Sequence, residues 1–370
     1  MEQPSLAYAF ILGAGFSRNA GIPIQEDFTE ALLGGRGSGH GSSGSIVRFL
    51  RSFVSKAFGH LQDAKAKYWP EMEDLFTCVD LSANTGHNLG RDFDAAYLRT
   101  VRRALIYRIF TMLREKYGAA QREQSQEWKE LDMFFRRIPW GESAFISTNW
   151  DTVVEEKLLE TRCIENFHYG CGALPSALHP EGLRRQDLGG EHAKIVKLHG
   201  SINWLYCDSC RRTFWFPAIQ SNKVAGQLLG EKDWNIIESG RVVSIDPYLC
   251  TECESKALGT RLATFSFAKA LEFPMFQKSW FTAERYLRES RTWVFIGYSL
   301  PAADFEFKFL LKRIQLSRVN QPKFIVISKG KYAEKTYHQY QHFFGQGVNR
   351  EENFFDNGLT RVAVSHILAN

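Results

Sequence analysis

A histidine, a carboxamide and a carboxylate each follow a short apolar run in this chain. His199 stands between Ile195-Val196-Lys197-Leu198 and Gly200-Ser201. Asn149 and Asp151 flank Trp150 just beyond Ala144-Phe145-Ile146-Ser147-Thr148. An imidazole titrates near neutrality and suits proton transfer. A carboxamide can hold a sugar hydroxyl or a water, and a carboxylate can orient a hydroxyl or steady a developing cation. Each residue also has a simpler use. Thr148, Asn149 or Asp151 could cap the next helix, and a lone histidine is often structural.

Two further tags are rich in small residues. Gly13-Ala14-Gly15-Phe16-Ser17 follows Phe10-Ile11-Leu12, with Gly21-Ile22-Pro23 close behind. Glycines let a backbone approach a phosphate. The dinucleotide pattern G-x-G-x-x-G would need glycine where Arg18 stands, so the ordinary dehydrogenase loop is excluded. Gly297-Tyr298-Ser299-Leu300-Pro301 follows Trp293-Val294-Phe295-Ile296, and Ser328-Lys329-Gly330 follows Phe324-Ile325-Val326-Ile327. The first of these could face an adenosine ribose or phosphate, or simply turn a strand into a helix.

Cys207-x-x-Cys210 and Cys250-x-x-Cys253 form the strongest isolated signal. Two such knuckles supply four thiolates to a tetrahedral zinc. With all four positions filled, none is left for water, so the expected role is structural. The other cysteines are Cys78, Cys163 and Cys171, an odd remainder. That usage suits a reducing, cytoplasmic setting better than a disulfide framework.

The elements that must position these tags follow from pattern. Five β-branched and aromatic runs bounded by Gly, Ser, Asn or Asp read as buried strands. In an open parallel sheet, ligands bind beyond the carboxyl ends of the strands, where all five tags sit. Gly34 to Gly44 is of low complexity and reads as a mobile loop. From Ile46 to about Arg137 the pattern turns helical, with Tyr97, Val101, Leu105, Ile106, Ile109 and Leu113 near helical spacing. Helices are also expected over Asp151–Glu160, Phe267–Arg288 and Ala303–Leu311, and a strand over Thr360–Val364. Cys163–Glu191 reads as irregular.

The bulk numbers narrow the class. An apolar fraction of 44% over 370 residues suffices for a full core. The net charge of +5 is spread without a dense basic run, which argues against nucleic acid. No run reaches the ~20 apolar residues of a membrane span. Met1–Tyr8 has no basic region before an apolar stretch, so no signal peptide is expected.

Set in order, the tags resemble the sirtuin family. That family shows a Gly-Ala-Gly-x-Ser…Gly-Ile-Pro loop, an Asn-x-Asp tag, His-Gly, two CxxC pairs and a Gly-x-Ser tag. The matching residues here are Gly13–Ser17, Gly21–Pro23, Asn149–Asp151, His199–Gly200, the four cysteines and Gly297–Ser299. The resemblance implies an α/β fold: a Rossmann-like parallel sheet of sirtuin-type topology, a helical insertion and a small zinc lobe. The chain then forms one unit, with its core in residues 5–30, 138–205 and 256–370, the insertion in 31–137 and the zinc lobe in 206–255. It implies NAD as substrate. Ala14, Gly15, Phe16 and Ser17 would line its phosphates and nicotinamide ribose. Asn149 and Asp151 would lie by the nicotinamide and its ribose, with His199 as general base. Ser299 and Ser328 would lie near the adenosine half. Gly13, Gly21, Pro23, Thr148, Gly297 and Leu300 complete the expected binding set.

Departures from the family pattern sharpen the expectation. Protein-deacylating members carry Asp-Phe-Arg after Gly-Ile-Pro, where this chain has Ile24-Gln25-Glu26. Trp150 stands where an isoleucine is usual. Phe295 to Asp304 is similar to a bacterial branch associated with antiphage defence, whose members typically hydrolyse NAD. The expected activity is therefore NAD glycohydrolysis, giving nicotinamide and ADP-ribose. An NAD-dependent protein deacylase and a non-catalytic NAD or ADP-ribose sensor are the alternatives. The branch also implies control by self-association or by an activating partner protein.

Overall fold

The computed structural model describes residues 6–34, 42–59, 69–238, 248–263 and 274–369. Twelve strands form among them. In chain order they are β1 (Leu6–Leu12), β2 (Ser143–Ser147), β3 (Phe167–His168), β4 (Leu174–His179), β5 (Gly182–Arg185) and β6 (Ala193–Lys197), then β7 (Trp204–Cys207), β8 (Thr213–Trp215), β9 (Leu258–Gly259), β10 (Ser290–Ile296), β11 (Lys323–Ile327) and β12 (Phe354–Phe355).

Seven of these make one parallel sheet in the order β12-β11-β10-β1-β2-β6-β3. This is the parallel sheet that the strand pattern implies, and it is Rossmann-like, as expected from the resemblance. Side chains alternate across a strand, so each run divides between two cores. Ala9, Ile11, Ala144, Ile146, Val196, Trp293 and Phe295 face one way, onto Leu287, Phe307, Leu311 and Tyr340 of helices 274–289, 305–317 and 333–344. Phe10, Leu12, Phe145, Ile195, Val294 and Ile296 face the other way, onto Phe134 and Phe135 of helix Gln126–Arg137. Burial on both faces explains why the strands read as continuous apolar runs.

Register then fixes where the tags lie. Leu12 pairs with Ile296 on one side and Ser147 on the other. Ser147 pairs with Lys197, and Ile296 with Ile327. The five strands therefore end level, and the tags emerge side by side along one edge. From β1 the chain moves to β2 on one side and later returns to β10 on the other. The crevice at such a reversal is the usual ligand position in open α/β sheets.

Helices Gln25–Leu33, Ser42–Phe58, Met72–Thr85 and Ala95–Glu123 form a block between β1 and β2. Asp94 caps the long helix by accepting from the Tyr97 amide at 2.7 Å, and Leu98, Val101, Leu105 and Ile109 are buried along it. Lys157, wholly buried on helix Val153–Arg162, ties that helix to helix Gln126–Arg137. Its ammonium meets Asp132 at 2.7 Å and Glu160 at 2.9 Å, and lies 3.2 Å from the centre of the Trp128 ring. Among the described residues, no helix is long and apolar enough to cross a membrane.

The cysteine pairs belong to a second sheet, ordered β5-β4-β8-β7-β9. This sheet reaches outside residues 206–255. It recruits the β4–β5 hairpin from a stretch that the sequence pattern left irregular, and β9 from beyond the second knuckle. The helix Glu231–Ile237 docks the lobe onto the block, because buried Asp233 accepts from Thr100 at 2.8 Å and Arg103 at 2.9 Å.

Other expectations change. Thr360–Val364 is not a strand: the helix Arg361–Ala369 occupies the tail. Ala363, Val364 and Ile367 are its buried residues, a helical spacing that a five-residue window hides. The helix expected over Ala303–Leu311 runs Phe305–Ser317, with Asp304 as its N-cap. The one expected over Phe267–Arg288 is seen as Pro274–Glu289, residues 264–273 lying outside those described. Of the expected loop, residues 35–41 lie outside the described residues, and a helix has begun by Ser42.

Candidate functional site

The site is built outward from Gly13. Its tag lies against the tag of β10: the amides of Gly13 and Gly15 donate to the carbonyls of Ile296 (3.1 Å) and Gly297 (2.9 Å). A methyl group on Gly13 would fall 2.6 Å from the Gly297 oxygen, and one on Gly15 would fall 2.8 Å from the Gly297 Cα. Gly297 itself has φ +60, and its Cβ would fall 2.1 Å from the Phe16 nitrogen. The glycines thus have a packing cause: two loops touch at the point where the sheet reverses. The Phe16 amide is also spent, on the Gly13 carbonyl at 2.9 Å. Three of the amides expected to cradle a phosphate are therefore bonded within the protein.

The other residues of this tag divide. Ala14 is exposed and Gly15 half-buried, at the crevice. The Phe16 side chain is core, edge-on to Phe134 and Phe135. Gly21 is exposed and Pro23 half-buried, next to the helical block.

Asn149 closes the crevice from the β2 side. Its Nδ2 donates to the Gly13 carbonyl at 2.8 Å and to the buried Ser17 hydroxyl at 2.7 Å. Both amide hydrogens are committed, so the carboxamide offers a ligand its Oδ1 acceptor. Thr148 holds the loop at its base, its amide donating to the Leu12 carbonyl at 3.1 Å.

His199 stands next to Asn149. Its Nδ1 lies 3.0 Å from the Thr148 carbonyl. A carbonyl only accepts, so Nδ1 carries the proton and Nε2 keeps its lone pair in the neutral ring. Gly200 follows with φ +85, and its Cβ would meet the Arg261 carbonyl at 2.7 Å. Ala263 fastens the assembly from outside: its amide donates to the His199 carbonyl at 3.0 Å, and its carbonyl accepts from Trp150 Nε1 at 3.3 Å.

The structure thus hydrogen-bonds His199 to Thr148, and Asn149 to Gly13 and Ser17, and the peptide between Thr148 and Asn149 joins the two groups. Asp151 stands apart. Its Oδ1 accepts at 3.1 Å from the amide of Val153, the first residue of the next helix, whose N-cap is Thr152. The side chain is buried beside Ile22, Arg114 and Tyr117. Gly297, Leu300 and Ser328 continue the edge toward β11. Ser299 is exposed, Leu300 and Ser328 are buried, and the Ser328 backbone pairs with Phe355 and Gly358. Tyr298 is buried and donates to Asp304 at 3.0 Å; burial and that carboxylate push its hydroxyl well above the usual range.

Lys197, Glu155, Tyr169 and Asn203 form a polar group behind this site that the motif reading missed. All four are buried. Lys197 Nζ donates to the carbonyls of Asp151 and Asn149 and lies 3.6 Å from Glu155 Oε1. Tyr169 donates to the same Glu155 oxygen at 3.0 Å, and Asn203 donates to Tyr169 at 3.2 Å. Burial raises the Glu155 carboxyl above its ordinary range, against the pull of Lys197. The available signal was a lysine inside the apolar run Ile195-Val196-Lys197-Leu198.

The four knuckle cysteines come together with all sulfurs within 4.8 Å of one another. Cys207 and Cys253 are 3.6 Å apart, as are Cys210 and Cys250. Four thiolates ~2.3 Å from a tetrahedral zinc would lie about 3.8 Å apart, so the spacing fits. The knuckles share one turn. Arg211 and Glu254, each just after the second cysteine, have φ 60 and 58, and their amides donate to Cys207 and Cys250 at 2.8 Å. Such a four-cysteine cluster could hold a metal ion.

A cavity of about 440 Å³ lies elsewhere, lined by Lys323, Phe324, Phe344, Asn353 and His366 at the amino-terminal end of β11. It is at the far end of the strands from the tags and does not adjoin His199.

No family model matches the chain, and no curated protein matches it. Some solved structures are similar. A Sir2 homologue mutant in complex with ADP-ribose shares 13% identity over 99% of this chain and 94% of that one, at a TM-score of 0.33. A Sir2–p53 peptide–NAD+ complex shares 17% identity over 86% of this chain and 80% of that one, at a TM-score of 0.28. A structure titled for the basis of sirtuin substrate affinity shares 15% identity over 88% of this chain and 81% of that one, at a TM-score of 0.29. Likenesses this remote carry no argument, and the functional reading rests on the residues themselves.

Proposed function

We propose that the chain binds NAD at the carboxyl edge of its parallel sheet and hydrolyses the bond between nicotinamide and ribose. The observation that carries this reading is the contact of His199 Nδ1 with the Thr148 carbonyl, 3.0 Å away. In the neutral ring Nδ1 donates to that carbonyl and Nε2 is left as a base, and Thr148 directly precedes Asn149 in the chain.

In the proposed reaction the ribose C1′–nitrogen bond breaks and nicotinamide leaves with the bonding pair. Positive charge develops on the ribose, and the Asn149 Oδ1 dipole opposes it. A water oxygen bonds to C1′ and loses a proton to His199 Nε2, directly or through a ribose hydroxyl. The products are nicotinamide, ADP-ribose and that proton. General-base help of this type is worth roughly 10²–10⁴-fold. Asp151 acts here through the backbone, by accepting from the first amide of the following helix. The cysteine cluster holds a structural zinc in this reading, with Cys207, Cys210, Cys250 and Cys253 as ligands. The likeness of Phe295–Asp304 to the antiphage branch extends the proposal to NAD depletion as a defence.

The test is product analysis after incubation with NAD, with and without an acyl-lysine peptide. Release of nicotinamide and ADP-ribose from NAD alone supports hydrolysis. Turnover only with the peptide means a deacylase. Stabilisation by NAD without turnover means a sensor.

A further inference from the structure

The turn from Thr148 to Thr152 leaves β2 and belongs to no strand or helix, so its backbone groups need partners of their own. The Trp150 carbonyl accepts from the Ile202 amide at 2.9 Å and from Ser201 at 3.4 Å. The carbonyls on either side of it, those of Asn149 and Asp151, are both met by the ammonium of Lys197. Lys197 is the last residue of β6, level with Ser147, and has no exposed side-chain surface. Its counter-ion is an imperfect one. Glu155 Oε1 is 3.6 Å away, and Oε2, also buried, has no hydrogen-bond partner. A buried pair with this geometry is a poor source of stability, and apolar residues of like volume often serve as well. What an apolar residue cannot do is grip two carbonyls of one turn.

We propose that Lys197 is a positioning residue for Asn149: by holding the carbonyls on both sides of Trp150, it sets the direction in which the Asn149 carboxamide enters the cleft. The catalytic consequence rests on the reading of the cleft as an NAD-hydrolase site; the geometric claim does not. Without the ammonium the turn relaxes, and the bonds from Asn149 to Gly13 and Ser17 are no longer enforced. The carboxamide contributes to the transition state, so its misdirection lowers kcat more than it raises KM.

The experiment compares wild type with Lys197→Met and with Lys197→Met/Glu155→Gln, which removes both buried charges and keeps volume. Three quantities are read: melting temperature, kcat and KM for NAD, and hydrogen exchange of the Asn149 side-chain amide. The last is followed in protein labelled with ¹⁵N-asparagine and identified by its loss in Asn149→Ala. The double variant is expected to melt near wild type. Its kcat should fall about 100-fold with KM changed by less than about threefold, the scale set by a misplacement near 1 Å. Its Asn149 amide should lose protection. A folded double variant with wild-type kcat and a protected amide overturns the proposal. If wild type does not consume NAD, the hydrolase reading fails on its own, and the Asn149 amide decides the role of Lys197. A protected amide then overturns it, and a lost one supports it.

Discussion

Gly297→Ala probes the contact on which the whole edge depends. Alanine meets two penalties there. At φ +60 an L-residue costs roughly 1–2 kcal/mol, partly offset by about 0.4–1 kcal/mol from a stiffer unfolded chain. The added Cβ would also sit 2.1 Å from the Phe16 nitrogen and 2.2 Å from the Gly15 carbonyl carbon, where ordinary contact begins at 3.4 Å. These are backbone atoms and cannot rotate aside, so the loop must move by about 1 Å, at the ~1–3 kcal/mol of an overpacked core. The net cost is about 1–5 kcal/mol, which for a chain of this size lowers the melting temperature by roughly 1–6 °C. Displacement also breaks the hydrogen bond from the Gly15 amide to the Gly297 carbonyl and shifts Ser17, an acceptor of the Asn149 amide. NAD turnover should then fall about 100-fold. Gly330→Ala is the control, since it has φ +74 but no atom within 4 Å of the new methyl group. Differential scanning fluorimetry and a nicotinamide-release assay on both variants decide the matter. If Gly297→Ala melts no lower than Gly330→Ala, the steric reasoning is refuted.

His199→Ala should cut NAD turnover by roughly 10²–10⁴-fold and leave the melting temperature almost unchanged. Normal turnover by the folded variant would remove His199 from the mechanism. Cys207→Ser and Cys250→Ser should each weaken zinc binding by more than the ~100-fold seen for outer partners of a metal, and lower the melting temperature with it. Full zinc occupancy by elemental analysis would contradict four-thiolate ligation. His168 is held below the usual imidazole range by burial, with help from nearby His192, Arg285 and Lys194. The folded chain therefore binds that proton less readily than the unfolded chain. The stability it contributes is present above about pH 6.5 and is lost as pH falls through the lowered value. His168→Gln should flatten the fall in melting temperature between about pH 7.5 and pH 5, and a wild-type slope in the variant would count against this account.

Much of the sheet was legible because burial on both faces writes a strand as an uninterrupted apolar run. The ends of those runs are also where the chain must change direction, so β1, β2, β6, β10 and β11 carry their tags in plain view. The knuckles were legible because ligand spacing is local. What stayed hidden depended on partners distant in sequence. Nothing near Gly13 or Gly15 says that Gly297 lies against them. Phe16 resembles a ligand-lining residue until Phe134 and Phe135 are seen around it. The β4–β5 hairpin escaped because its strands alternate weakly, although Pro180-Glu181 between them and Gly182 at the start of β5 have turn composition. The tail helix was mistaken for a strand because Val362, Ala363 and Val364 are β-prone or small, and its helical period shows only when Ile367 is included.

Ala263 joins two parts of the molecule that the chain keeps far apart. It follows β9, which pairs with the strand carrying Cys207, and its own peptide groups grip His199 and Trp150. The sulfur cluster and the imidazole are therefore coupled through a tether of about ten residues from Cys253. A chelator or an oxidant that opened the cluster would slacken this leash at its anchored end. The reagent would never enter the cleft, yet the imidazole beside it would lose its hold.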